Sequence, residues 1–142
     1  TPDEVDDILN KKSGMLGISG TSMDFRDIQT AAAGGNERAQ LAVKMFCYQA
    51  IKIIGSYIAA LGGLDTLVFT AGVGENDDII RVSVCDGLAY SGVEIDRESN
   101  LIRRKEVVLS TERSDVEVFV IPTNEELSIA VQTAQVLKKA EA

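Results

Sequence analysis

The chain has 142 residues, 45% hydrophobic and 25% charged, which is ordinary for one soluble globular domain. Its 22 acidic side chains outnumber 14 basic ones, for a net charge of −8, and no basic run exceeds Arg103-Arg104-Lys105, which argues against a nucleic-acid partner. The absence of histidine excludes His general bases, Ser-His-Asp triads and His-ligated metals within the chain. Aromatics are scarce at 5%, so the core is expected to be aliphatic. Cys47 and Cys85 lie among apolar residues and are expected to be buried, reduced thiols. No signal peptide or membrane-spanning run is evident, and the first residue is Thr1 rather than Met. A cytoplasmic protein, or a piece cut from one, is the expectation.

Thr1, Pro2 and Glu4 form a helix start, with an N-cap, a proline at the first helical position and a capping-box glutamate. Val5, Ile8 and Leu9 are its apolar face, and Gly14 closes it after Lys11 and Lys12. Residues 15–22 hold two glycines and three hydroxyl residues and read as an irregular loop. Asp24 caps a further helix that fades at Gly34 and Gly35. In that setting Arg26 reads as a solvated charge, paired with Asp27.

Asn36 caps a long helix over residues 37–61. Ala39, Ala42, Met45, Phe46, Ile53, Ile54, Tyr57, Ile58 and Leu61 recur at helical spacing, so burial over much of its circumference is expected. Its first half is too polar for a membrane span, and Gly62 and Gly63 end it. The length marks a central packing element and part of a possible oligomer surface.

Residues 65–71 read as a strand, and the apolar run Leu67, Val68, Phe69 predicts cover on both faces. Gly72 and Gly74 then permit positive φ and close approach of backbone to a ligand, beyond the carboxyl end of that strand. A helix follows over residues 77–88, then a turn with a short extended piece, then a polar surface stretch over residues 96–104. Val107 to Ser110 is a short strand and Val116 to Ile121 a clear one. Asn124 caps a final helix with Glu125 and Glu126 in its first turn and Leu127, Ala130, Val131, Ala134 and Leu137 as its core stripe.

The run Gly72-Val73-Gly74-Glu75-Asn76 fails the dinucleotide fingerprint, because Asp77 stands where a third glycine would fall, and it lacks the Gly-Lys-Ser/Thr of a phosphate loop. That weakens a Rossmann oxidoreductase reading. Glu75, Asp77 and Asp78 would repel a phosphate placed there unless a metal intervened. If the loop holds a nucleotide, the adenine or ribose end is the better physical match; the alternative is a tight strand-to-helix turn. In the run Asn124-Glu125-Glu126 the two glutamates offer carboxylates that suit a hard cation such as Mg²⁺; the alternative is simple helix capping.

Together, four segments resemble the C-terminal region of acetate kinases: residues 13–20 (Ser-Gly-Met-Leu-Gly-Ile-Ser-Gly), 24–27 (Asp-Phe-Arg-Asp), 69–76 (Phe-Thr-Ala-Gly-Val-Gly-Glu-Asn) and 122–127 (Pro-Thr-Asn-Glu-Glu-Leu). The resemblance extends in order over essentially the whole chain, and propionate kinases share most of these motifs. It implies an α/β fold, the C-terminal part of a ribonuclease-H-like domain of the actin, sugar kinase and Hsc70 superfamily. An α-helical N-terminal segment (residues 1–63) would precede a small sheet flanked by helices (residues 64–142), all in one domain. The implied activity is reversible transfer of the ATP γ-phosphoryl to acetate, giving acetyl phosphate, with Mg²⁺.

By the same resemblance, Asp24, Phe25 and Arg26 line the base and ribose of ATP or ADP, and Gly72, Val73, Gly74, Glu75 and Asn76 are the adenosine loop. Glu125 matches the Mg²⁺-associated glutamate, and a homodimer is the expected partner state. The family's phosphate loops, catalytic aspartate, and transition-state histidine and arginines fall upstream of Thr1, so no catalytic residue is expected here and the chain alone should be inactive. Alternatives are a propionate kinase, a non-catalytic adenine-nucleotide module, and an oligomerisation domain built on the long helix.

Overall fold

Helix starts fall where the capping residues place them. The computed structural model describes residues 1–103 and 105–140; Arg104, part of the polar stretch read from the sequence, lies outside the described residues. Thr1 caps α1 (Pro2–Asp7) in a full capping box, its hydroxyl accepting from the Glu4 amide at 3.3 Å. The chain continues as a π-helical turn, Ile8–Lys12, whose two lysines both pair with Asp7. The expected apolar face of this helix is not covered: Val5, Ile8 and Leu9 are all exposed.

The segment expected to be an irregular loop is instead a second helix, α2 (Gly14–Ser19). Its glycines are tolerated because another element satisfies its terminal carbonyls. Arg38 donates from Nε to the Ile18 carbonyl at 2.9 Å and from Nη2 to the Gly17 carbonyl at 2.8 Å. Gly20, at φ 67°, is the left-handed cap. Asp24 then caps α3 (Phe25–Ala33), and Asn36 caps α4 (Glu37–Leu61) with its Oδ1 accepting from the Ala39 amide at 3.0 Å.

α4 is the longest element and packs against α2, α3 and later α6 (Asp78–Gly87). Ile28 of α3 meets Ala39 and Ala42 of α4 in a small core. The expected burial around much of α4 does not occur. Only Ala39, Ala42 and Cys47 are buried, while Leu41, Tyr48, Ile53, Tyr57 and Leu61 are exposed. By length and a mean hydropathy of 1.2 over its most apolar window, α4 also meets the measure of a membrane-crossing helix, contrary to the expectation from its polar start. Its contacts with α2, α3 and α6 give one of its faces a protein partner.

Three strands form the sheet, in the order β1-β3-β2. β1 (Thr66–Phe69) runs parallel to β3 (Glu117–Val120), with Thr66 opposite Glu117 and Phe69 opposite Val120. β2 (Val107–Val108) is antiparallel to β3, Val107 facing Val120. Double-sided cover of β1 is not found, since Thr66 and Val68 face outward. β1 is an edge strand, and only the Leu67 and Phe69 side meets the core. The main core is aliphatic, as composition requires: Ile80, Val84 and Leu88 of the α6 segment pack on Leu109, Val116, Val118 and Val120.

Both cysteines sit in this core as free thiols. Burial pushes the Cys85 thiol up to about 12, so it is inert as a nucleophile near neutral pH. α7 (Glu125–Ala140) forms as predicted, with Asn124 Oδ1 accepting from the Leu127 amide at 3.0 Å. Its apolar stripe is not a core stripe here: Leu127, Ala130, Val131, Ala134 and Leu137 are exposed.

Candidate functional site

β1 ends at Phe69 and the chain turns sharply. Ala71, at φ 58°, is the residue in the left-handed region; Gly72 and Gly74 are not, contrary to the expectation from their flexibility. The glycine run is a short helix, α5 (Ala71–Asn76), rather than an open loop. Gly74 serves close approach instead: a Cβ there would lie 3.3 Å from the Phe69 carbonyl carbon. Gly72 has open space on its side-chain side, with nothing within 4 Å. Asn76 donates its side-chain amide back to the Gly72 carbonyl at 2.9 Å.

Asp77 follows as the N-cap of α6. One carboxylate oxygen accepts from the Ile80 amide at 3.0 Å; the other accepts from the Gln29 side-chain amide of α3. That bond ties α3 to the start of α6, and between them runs an open groove of about 810 Å³. Asp24, Phe25, Arg26, Gln29, Thr30 and Ala33 form one wall. Gly72, Val73, Asn76, Asp77, Asp78, Ile79 and Arg103 form the other. Two sequence-predicted clusters, separated by more than forty residues of chain, thus face each other across one groove. Phe25 is held by Phe46 of α4, ring centroids 4.8 Å apart.

Arg26 is not paired with Asp27 as expected. Its guanidinium folds onto Asp24, with Nε 3.0 Å from the Asp24 carboxylate, while Asp27 accepts from the Ser22 hydroxyl at 2.8 Å. The Arg26 side chain, with its backbone amide, holds the Asp24 carboxyl well down, at about 2. The sign follows directly: this contribution is fully present above the unfolded value of about 3.9 and is lost as pH falls towards 2. An NMR titration of the side-chain carbonyl should give Asp24 a midpoint near 2. Arg26→Ala should return it towards the ordinary carboxylate range; an ordinary midpoint in the unsubstituted chain would show that the pair does not form.

Gly74, Glu75 and Glu125 do not line the groove. Gly74 is packed behind α5 on Phe69. The Glu75 carboxylate accepts from the Thr123 amide at 2.8 Å and from its hydroxyl at 3.0 Å, which lowers its pKa and joins the segments after the parallel strands β1 and β3. Glu125 is exposed at the head of α7. Among the described residues no group of three or more His, Cys, Asp or Glu could hold a metal ion. A single exposed carboxylate suits an ion such as Mg²⁺, which keeps waters and phosphate oxygens as most of its ligands.

Sequence reasoning missed what stands behind the groove. Arg81 is fully buried. Its Nε and Nη2 donate to the side-chain and backbone oxygens of Asn100 at 2.7 and 2.6 Å, and Nη1 donates to the Gly74 carbonyl at 2.9 Å. Asn100 in turn donates to the Asp78 carbonyl at 2.9 Å, so the stretch read as wholly surface holds a buried residue. A signal was available: Arg81 shares one helical stripe with Val84, Cys85 and Leu88, at spacings where an apolar residue is the norm. Desolvation lowers the pKa of Arg81, opposed by Asp78 and Asp77 nearby.

The architecture defines a mixed α/β protein, mostly helical, whose groove lies beside the segment following a parallel strand. Comparison with known proteins narrows this. A sequence model of the Acetokinase family matches residues 1–131. The acetate kinase of Dictyoglomus thermophilum is 55% identical over 98% of the chain, and that of Methanosarcina barkeri is 53% identical over 95%. Among solved structures, Porphyromonas gingivalis acetate kinase superposes with a TM-score of 0.87 at 46% identity over 96% of the chain. A propionate kinase from Francisella tularensis superposes with a TM-score of 0.81 at 39% identity over 92%. The chain belongs to the acetokinase family, a family of ATP-binding kinases. It spans only 35% of the length of the Dictyoglomus and Porphyromonas proteins and 33% of the other two.

Proposed function

We propose that the groove receives the adenosine portion of ATP or ADP, and that the chain is the nucleotide-side, C-terminal segment of an acetate kinase. In that enzyme the γ-phosphoryl of ATP passes reversibly to acetate, in the cytoplasm, with Mg²⁺. The observation that carries this reading is the groove itself, which sets Asp24, Phe25 and Arg26 against Gly72, Val73 and Asn76. Its charges favour the nucleoside end. Asp24, Asp77 and Asp78 outnumber Arg26 and Arg103, and the arginines are already paired with Asp24 and Asp78. Carboxylates accept from ribose hydroxyls but repel phosphate.

In this reading Gly74 and Glu75 act indirectly, holding α5 in place from behind. Glu125 is the chain's contribution to Mg²⁺, whose chemistry is to neutralise phosphate charge. Phosphoryl transfer depends on positioning and charge neutralisation around the phosphates. The chain alone is therefore expected to form no acetyl phosphate from ATP and acetate; clear turnover would remove this part of the proposal.

Gly72 provides the direct test of binding. Its side-chain position is open, so Gly72→Val should fill the groove while leaving the thermal midpoint nearly unchanged. Calorimetric titration with ADP should show affinity reduced about tenfold or more, the effect of a displaced contact surface. Equal affinity in parent and variant would place the nucleotide elsewhere. A propionate kinase is the second reading, supported by the superposition on the Francisella protein. The exposed face of α4 supports a homodimer, which sedimentation of the chain would separate from a monomer.

A further inference from the structure

We infer that Arg81 is a positioning residue for the nucleotide wall of the groove, acting through the carbonyl of Gly74. The inference rests on the adenosine reading above. It starts from the weakness of α5 by itself. Six residues, two of them glycine, make a poor helix, and Ala71 enters it in a left-handed conformation. Thr70 provides no side-chain cap. Beyond the Asn76 side-chain bond to the Gly72 carbonyl, such a turn depends on bonds from outside to keep its shape.

Arg81 provides the bond that reaches α5 from the interior. Nη1 holds the Gly74 carbonyl at 2.9 Å, and the other arms of the same guanidinium are fixed on Asn100 at 2.7 and 2.6 Å. Asn100 is itself held by the Asp78 carbonyl. The planar fork therefore connects three segments rigidly: α5, the first turn of α6, and the turn carrying Asn100. Gly72, Val73 and Asn76 line the groove on the open side of α5, and Arg81 grips the same turn from the buried side. Among the described residues Arg81 makes no ion pair, so the cost of burying its charge is offset by three hydrogen bonds rather than by a paired carboxylate. Its fixed donor geometry supplies what an apolar residue lacks: a set position for one carbonyl and for the groove surface attached to it.

Three variants of this chain test the inference. Arg81→Lys keeps the charge and loses the fork. Asn100→Ala removes the side-chain anchor of Nε and leaves the bond to Gly74. Gly92→Ala introduces strain outside the groove lining, at φ 89°. ADP affinity by calorimetry and amide hydrogen exchange over residues 72–77 are read on each. Arg81→Lys and Asn100→Ala should lower ADP affinity about tenfold and raise exchange at those amides, as expected when a binding surface loses its supporting shell. Gly92→Ala should lower the thermal midpoint with neither effect. If Arg81→Lys does not fold, Asn100→Ala decides the matter by the same readouts. Parent-like affinity and exchange in the folded Arg81 and Asn100 variants would overturn the inference, and so would equal losses in all three. If the parent chain binds no ADP, the adenosine reading fails, while exchange over residues 72–77 still decides whether Arg81 holds the turn.

Discussion

Arg81→Met should lower the stability of the chain by about 3–5 kcal/mol, the cost of leaving several buried hydrogen-bond acceptors without a donor. Methionine roughly matches the volume, so the loss is not a cavity effect. It comes from the acceptors left behind. The Asn100 side chain, the Asn100 carbonyl and the Gly74 carbonyl each lose a donor at 2.6–2.9 Å, at or beside a fully buried position. Each stranded acceptor costs about 1–3 kcal/mol. Asp77 and Asp78 also lose a compensating cation. Against a typical total of about 5–15 kcal/mol, this is a large fraction. Urea denaturation at neutral pH measures it; a loss under about 1 kcal/mol would mean that the network is not formed.

Gly92→Ala is expected to lower stability by about 2–3 kcal/mol, for two independent reasons. Gly92 sits at φ 89°, and a side chain in the left-handed region costs roughly 1–2 kcal/mol. The added Cβ would also lie 2.8 Å from the Asp115 Cβ, closer than carbon atoms pack. Asp115 has little room to retreat, because its amide donates to the Gly92 carbonyl at 3.0 Å and the Ser114 hydroxyl donates to the same carbonyl at 3.2 Å. The double variant Asp115→Gly/Gly92→Ala, compared with Asp115→Gly alone, separates the two reasons, because it removes the Cβ contact and leaves the backbone strain. A smaller loss from Gly92→Ala in that background measures the contact; an unchanged loss would assign the effect to the backbone conformation alone.

Local signals in the sequence located most elements. The capping residues Thr1, Asp24, Asn36 and Asn124 each open the helix expected of them, because capping is settled within a few residues of chain. The exception among helices is α2, whose carbonyls are satisfied by Arg38, about twenty residues away. No window on residues 15–22 contains that partner. The glycine run erred for a related reason. From the sequence, Gly72 and Gly74 suggest positive φ and close approach to a ligand, whereas the fold uses Gly74 for proximity to Phe69 and places the unusual φ at Ala71.

The apolar stripes on α4 and α7 show the limit of periodicity. The 3.6-residue repeat identifies a face but not what covers it. Leu127, Val131 and Leu137 repeat correctly on α7 and are exposed here, as are Tyr48, Tyr57 and Leu61 on α4. The same holds for Val68 on β1. Among the described residues none covers these faces.

The candidate site divides along the same line. The sequence alone determined the family, because four short motifs in fixed order are specific even when each is weak, and of the residues it named, Asp24, Phe25, Arg26, Gly72, Val73 and Asn76 line one groove. It also determined that the groove's chemistry is carboxylate-rich and free of histidine. Only the tertiary structure decided that Asp24, Phe25 and Arg26 stand opposite Gly72, Val73 and Asn76, that Glu75 serves Thr123 instead, and that Arg81 and Asn100 hold the turn from behind. The physical reason is range. Capping, propensity and periodicity act over one or two turns of chain, while the groove walls and most of the side-chain bonds that fix them join residues about twenty to fifty positions apart, whose meeting depends on how whole helices pack.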